Sequence, residues 1–501
     1  MDLFTSTISS NINYLDGFDA RCSIVRISMC YWYENTACGS WDRFMPPAIL
    51  EQAFYRTLVD YPNIASHIKA DANGRMYLEV DKNNLNMPVY SDTCCDLHYS
   101  VICESGYDLR KLPVNLSAEY GVPAPLGLVG GEIKQAYIRI IRFKDNSGVL
   151  VFASIGHCLI DGYGFTHFMN RWAEISRWLQ KPQDSSQIPL PSYKYSHDRS
   201  IHANYQLDQT TALDTFTLDT VSSSSYVTSL FSWVSPETRG RLFKAISQVL
   251  GHGCCYFHIS AQAMEALRNR VQAHAPKDTK LSINDVIIAY ITVVVALAKE
   301  RASADWWSRP VPSAIRKVLG KSGESKFPGF LTCVAINMRT RINQPDIERY
   351  MGSMVFGRSI VFPHNLINKE STDDKALCGL ALKIHEEVNA TDEQYIGQLG
   401  YLMNRNPDNY LRQTFCYAKI RNKLITSNQV KFAHYDVDFG AGIPTLVRHA
   451  PHAFADIAYV MPPNPKTGGY EVEFNVVSDV ARYIAGNSDW MKLVDRYDLH
   501  L

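Results

Sequence analysis

Two hydrophobic periods alternate along this chain, and they change over at one junction near residue 156. Residues 149–155 (VLVFASI) are apolar or β-branched almost without a break, which predicts a buried strand. From Gly164 onward Phe165, Phe168, Met169, Trp172, Ile175 and Leu179 recur at helical spacing. Residues 136–143 (AYIRIIRF) form the other arm of an expected hairpin, with Lys144-Asp-Asn-Ser-Gly148 supplying turn chemistry between the arms. Earlier, residues 49–59 are amphipathic and stop at Tyr61-Pro62, and residues 75–80 read as a strand after Asn73-Gly74.

The second half restarts the pattern. Residues 256–259 read as a strand and 261–271 as a helix, followed by residues 286–298 (VIIAYITVVVALA), a buried helix or strand-like run that Ser282 or Asn284 can cap. A strand over 333–337 runs into Met338-Arg339-Thr340-Arg341, residues 435–444 make a glycine-bearing loop after a strand, and 469–476 form an alternating strand. Between Lys181 and about Val249 the pattern weakens, with Pro182, Pro189, Pro191, four serines from Ser222 to Ser225, and Pro236. That stretch divides an expected N-terminal domain, 1–190, from a C-terminal domain, 251–501, through a crossover over 191–250.

A chain of 501 residues is long enough for two cores. Lysine plus arginine and aspartate plus glutamate number 50 each, so no global field favours nucleic acid or an anionic membrane. Residues 286–298 are too short to cross a bilayer, and the opening residues lack the pattern of a secretory signal. The twelve cysteines include no C-x-x-C pair, which excludes the commonest zinc spacing and leaves reduced thiols in a cytoplasmic protein as the expectation.

The junction itself carries the chemistry. His157-Cys-Leu-Ile-Asp161-Gly162 places an imidazole, a carboxylate and a glycine where a rigid strand gives way to a loop. Read alone, His157 is more often a hydrogen-bonded interior histidine than a catalyst, Asp161 an N-cap and Gly162 a turn residue. Asp438-Phe-Gly could suggest a protein kinase, but the glycine-rich loop, the lysine strand and the H-R-D loop are missing.

His157 to Gly162 as H-x-x-x-D-G, followed far downstream by Asp438-Phe-Gly440-Ala441-Gly442, resembles the BAHD-type, or transferase-family, acyl-CoA-dependent acyltransferases, with Ala441 where that family has tryptophan. Leu15-Asp16, Tyr61-Pro62, Ser282-Ile-Asn284-Asp285, Arg339-Thr-Arg341, Tyr350-Met-Gly352 and Gly468-Gly469 extend the similarity along the chain. Its size and style resemble fungal members, such as trichothecene-type O-acetyltransferases, more than plant ones.

The resemblance implies two chloramphenicol-acetyltransferase-like α/β domains with an active-site channel at their interface. It implies an acyl group, acetyl in the simplest case, passing from acyl-CoA to the hydroxyl or amine of a small secondary-metabolite acceptor. His157 would be the general base. Asp161 would pair with Arg339 and hold the loop, Gly162 would keep the backbone open beside the base, and Asp438, Gly440 and Gly442 would form a structural loop remote from it. Ser427 is carried over as a CoA-channel contact. The resemblance implies no bound cofactor, acyl-CoA as co-substrate, no nucleic-acid partner and a monomer. Two alternatives stay open: a peptide-synthetase-like condensation enzyme with a carrier-protein donor, against which Gly156 stands where that group has a second histidine, and a non-catalytic scaffold of the same fold. Cys158 beside the base is not expected to act as a nucleophile.

Overall fold

The structure is a computed structural model, and it describes residues 2–22, 25–36, 43–73, 75–114, 116, 134–181, 195–196, 252–308, 329–368, 372–405, 422–451 and 456–501. The expected crossover over 191–250 lies outside the described residues apart from Tyr195 and Ser196, where Ser196 forms a bridge with Tyr350.

Two large sheets and one small one organise the chain. The small sheet joins β1 (Asn11–Tyr14), β4 (Met76–Val80) and β3 (His67–Ala70) in that order. The first large sheet runs β12 (Leu446–His449), β2 (Arg26–Glu34), β7 (Gly148–Gly156), β6 (Ala136–Arg142) and β5 (Val89–Cys94). The second runs β10 (Val355–Pro363), β9 (Gly329–Asn337), β11 (Lys423–Asn428), β13 (Ile457–Val460), β14 (Gly469–Val477), β8 (His252–Ser260) and β15 (Arg496–His500).

The hairpin over β6 and β7 pairs Ala136 with Ile155 and Arg142 with Val149. β7 is buried along its whole length because β2 and β6 flank it and helices cover its face, which is why its sequence shows no polar alternation. Helix Gly162–Leu179 returns across that face and packs on helix Pro47–Asp60, with Trp172 Nε1 donating to the Leu50 carbonyl at 2.9 Å. The helix starts two residues earlier than its apolar period suggests, because Asp161 caps it.

In the second half the 26-residue helix Ile283–Ser308 runs through a core of its own. Ser282 and Asp285 form the capping box that starts it: Ser282 N donates to the Asp285 carboxylate at 2.9 Å, and Asp285 N to Ser282 Oγ at 3.1 Å. Residues 286–298 therefore resolve as helix, apolar all round because helices Asp374–Asn389 and Ser478–Ala485 and the sheet enclose them. None of the described helices is long and apolar enough to cross a membrane.

The halves interpenetrate. β12 comes from the second half yet forms the edge of the first sheet, and Met338, Tyr350, Met351, Met354, Tyr435, Val437 and Phe439 join the first core. β14 alternates as its sequence suggests, but both faces are buried. Val472, Phe474 and Val476 enter the second core, whereas Glu471, Glu473 and Asn475 face the junction between the halves. Polar residues occupy that face because it meets β12 instead of water.

Candidate active site

His157 follows β7 directly. The strand's last amide, Gly156 N, donates to Gln135 O at 2.9 Å, and His157 N donates to Val25 O at 2.8 Å, so two main-chain bonds fix where the imidazole leaves the sheet. Leu159 N then closes a turn on Gly156 O at 3.0 Å. The ring is half-buried, and its Nδ1 is enclosed with no partner other than the residue's own main-chain carbonyl.

Asp161 is saturated by bonds that do not involve His157. Oδ1 accepts from Gly164 N at 2.9 Å, which is the helix N-cap. Oδ2 accepts from Arg339 Nη1 at 2.6 Å and from Met354 N at 2.8 Å. Burial raises the carboxyl pKa, but Arg339 and the two amides outweigh it and hold it below the usual carboxylate range.

Arg339 spends all its N–H groups on fixed acceptors. Besides Asp161, Nη1 meets Asn337 Oδ1 at 3.3 Å, Nε and Nη2 reach Tyr350 O at 3.2 and 2.8 Å, and Nη2 reaches Gly352 O at 2.9 Å. Tyr163 covers the guanidinium, its ring centre 4.6 Å away. Asp161 is 2% exposed and Arg339 4%, so this is a buried ion pair tying the loop of the first half to the end of β9 in the second. Arg341 goes elsewhere, donating to Val388 O at 3.0 Å and Thr391 O at 3.2 Å.

Gly162 answers a different demand from the open backbone expected of it. A Cβ there would stand 2.9 Å from Phe432 Cε2, so the glycine admits an aromatic ring of the second half against the first turn of the helix. Gly164 is tighter still, with Ile160 Cγ1 at 2.7 Å and Met351 O at 3.2 Å from a built Cβ. Cys158 is buried in the first core.

Asp438 Oδ1 accepts from Gly440 N and Gly442 N, each at 2.8 Å, and both glycines have positive φ, +95° and +87°, which a side chain would strain. This loop packs on the C-terminal end of helix Gly162–Leu179: Gln180 Nε2 donates to Phe439 O at 2.6 Å, Arg177 donates to Asp438 O, and Phe439 stacks edge-on against Trp172. At about 1.5 Å rise per residue the helix puts it roughly 24 Å from Asp161. Ala441 is half-buried against the first core. Ser427 lies half-buried in β11 opposite Tyr459 and makes no hydrogen bond to His157.

The residue that sequence reading missed is Cys22. Val25 N donates to Cys22 O at 3.1 Å, and Val25 O in turn holds His157 N, so the main chain brings Cys22 near His157 and the two groups act on each other electrostatically. Ser353 Oγ lies 3.7 Å from the sulfur, itself held because Ser353 N donates to Asp19 Oδ1 at 2.8 Å. Burial raises the thiol pKa, but His157, Arg21 and Ser353 bring it down to about 7. Burial lowers the imidazole pKa, but Cys22 most of all pushes it up to about 9. No local motif marks Cys22, because the contact is made by the fold.

A second buried polar row was also illegible. Glu473 Oε2 meets His449 Nδ1 at 2.9 Å, His449 Nε2 meets Gln429 Nε2 at 3.2 Å, Gln429 Oε1 meets His434 Nε2 at 2.9 Å, and His434 Nδ1 meets Tyr31 Oη at 2.9 Å. With the Gln429 carboxamide so placed, each histidine has one donor and one acceptor and is neutral. Burial lowers both histidine pKa values to about 3. The row crosses from β14 to β2 and sets the relative position of the two sheets behind the site.

Residues 320–480 match the model of the Transferase family. No curated protein sequence matches the chain. Among solved structures, F. graminearum TRI101 complexed with coenzyme A and deoxynivalenol aligns over 97% of this chain and 99% of its own, at 14% identity and a TM-score of 0.66. Vinorine synthase aligns over 97% and 98%, at 14% identity and a TM-score of 0.59. The first condensation domain of the CDA synthetase aligns over 95% of each chain, at 13% identity and a TM-score of 0.53. The fold is thus the two-domain chloramphenicol-acetyltransferase-like one over nearly the whole chain, and residues 320–480 are similar in sequence to the Transferase family.

Proposed function

We propose that the protein transfers an acyl group from acyl-CoA to the hydroxyl or amine of a small molecule, with His157 as the base. The observation that carries this reading is the setting of His157. It stands at the end of a fully buried strand, it is fixed by main-chain bonds, and its loop is tied across the two halves by Asp161 and Arg339. Nδ1 turned to its own carbonyl leaves Nε2 as the basic nitrogen.

Neutral alcohols attack thioesters poorly, so the acceptor must lose its proton as it attacks. The tetrahedral intermediate then expels CoA thiolate, and the imidazolium returns a proton to sulfur. Such assistance is typically worth about 10²- to 10⁴-fold, with positioning of donor and acceptor supplying the rest. Asp161 takes no part in this relay, because both its oxygens are already engaged. The co-crystallised coenzyme A in the TRI101 structure supports acyl-CoA as the donor class.

The test is thiol release from acetyl-CoA and longer acyl-CoAs against a library of alcohols and amines. Acceptor-dependent release supports the reading. Coenzyme A binding without release on any acceptor favours a scaffold, and transfer only from an acyl-carrier protein favours a condensation enzyme, whose fold this chain shares.

A further inference from the structure

We propose that the buried row from Tyr31 to Glu473 is a proton-operated switch: one proton taken up by Glu473 reverses every hydrogen bond in the row, as far as the first turn of the helix that follows His157. The direction of the row carries it. The oxygen and nitrogen of the Gln429 carboxamide fix which way each donor points. Tyr31 Oη donates to His434 Nδ1, His434 Nε2 to Gln429 Oε1, Gln429 Nε2 to His449 Nε2, and His449 Nδ1 to Glu473 Oε2. All four bonds point at one carboxylate, whose Oε2 also accepts from the His449 main-chain amide at 3.1 Å. Bonds aligned in this way polarise one another, so the row acts as one unit that favours an ionised Glu473.

The surroundings oppose that charge. Glu471 and Glu473 stand two residues apart on one face of β14, with Arg448 of β12 as the nearby cation. Its donors are spent elsewhere: Nε and Nη2 on Glu471 at 2.7 and 2.6 Å, Nη2 also on Asp498 at 2.7 Å, and Nη1 on Gly106 O at 2.6 Å. Glu473 is 2% exposed, and among the described residues no lysine or arginine bonds it. Burial most of all, with Glu471 adding to it, raises its carboxyl well above the usual carboxylate range, against Arg448 and the His449 amide. Tyr256 and Cys254 of β8, Tyr459 of β13, Cys30 of β2 and Tyr435 also lie within its field. Burial, helped by Glu473, raises all five, so they keep their protons.

A Glu473 that takes a proton from solvent becomes the donor to His449 Nδ1. His449 then holds its own proton on Nε2, the Gln429 carboxamide turns over to accept it on Oε1, and Gln429 Nε2 donates to His434 Nε2. The His434 proton moves to Nδ1. Both histidines stay neutral, and the only heavy atoms to change place are the O and N of one carboxamide. At the far end Thr166 Oγ1 lies 3.4 Å from His434 Nδ1 and donates to the Gly162 carbonyl at 2.9 Å. Nδ1 is a bare acceptor in the first state and an N–H in the second, so the first turn of helix Gly162–Leu179 senses the charge on a strand of the other half.

Nitrogen NMR of protein isotopically labelled in its histidines reads both rings with no substrate, because a ring nitrogen with a proton and one without resonate far apart. Single His434→Gln and His449→Gln variants assign the signals. Titration from about pH 9 to about pH 5 is expected to move the His449 proton from Nδ1 to Nε2 and the His434 proton from Nε2 to Nδ1. Both move with one shared midpoint, above the usual carboxylate range, and neither ring becomes cationic. Glu473→Gln keeps the size and removes the charge. Its carboxamide oxygen takes the His449 amide and its nitrogen donates to Nδ1, so it holds the acidic pattern at every pH. One tautomer pattern throughout the titration, reversal of one histidine alone, or the alkaline pattern in a folded Glu473→Gln overturns the switch. Acyl transfer plays no part in this readout, so absence of turnover counts against the proposed reaction and leaves the switch standing.

Discussion

Replacing Asp161 with alanine removes three bonds at once and leaves a buried cation short of its anion. The cap to Gly164 N is worth about 1 kcal/mol. Stripping a buried guanidinium of its carboxylate costs about 3 to 5 kcal/mol, and here the lower end applies, because Tyr350 O, Gly352 O and Asn337 Oδ1 still hold Arg339. Together these give about 4 kcal/mol, roughly a thousandfold in the folding equilibrium at about 1.4 kcal/mol per decade. Urea unfolding of wild type, Asp161→Ala, Asp161→Asn and the double variant Asp161→Ala/Arg339→Met measures it. Asparagine keeps an oxygen for the cap and loses less. The double variant loses less than the two single changes summed, since no charge is left unpaired. Activity per folded molecule stays within about tenfold, because neither oxygen of Asp161 touches His157. If Asp161→Ala keeps wild-type stability but loses turnover a thousandfold, the carboxylate acts in the chemistry and the anchoring role is wrong.

Acid sensitivity follows from the row of buried histidines. His434 and His449 have folded pKa values near 3 against an ordinary value of about 6.5, so between these limits the unfolded chain binds more protons and stability falls as pH drops. His434→Gln with His449→Gln flattens that slope in thermal melts between pH 6.5 and 4, and an unchanged slope contradicts the neutral assignment. Gly162→Ala forces the Phe432 ring aside and costs about 1 to 3 kcal/mol in urea. Adding Phe432→Ala recovers part of that loss if the clash is the cause, and recovers none if the backbone itself requires glycine.

Local elements were legible because their causes are local. The β6–β7 hairpin, the capping box at Ser282 and the N-cap at Asp161 each follow from residues a few positions apart. His157 was legible as the end of an unbroken apolar strand. What the sequence could not show depends on the two halves meeting. β12 leaves its own half to extend the first sheet, and Glu473 looks like a solvent-facing residue of an alternating strand until His449 covers it. The Arg339 partnership came from a family resemblance, and the structure supplies its cause in the fork of acceptors around the guanidinium. Phe432 over Gly162 and Cys22 beside His157 leave no trace in local spacing.

The role of His157 is settled by comparing thiol release from acyl-CoA by wild type and His157→Ala, with an acceptor drawn from the alcohol and amine library and with matched melting curves. Loss of at least about 10²-fold in turnover at unchanged stability is expected of a residue that moves the acceptor's proton. Turnover that survives the alanine change in a folded protein contradicts it.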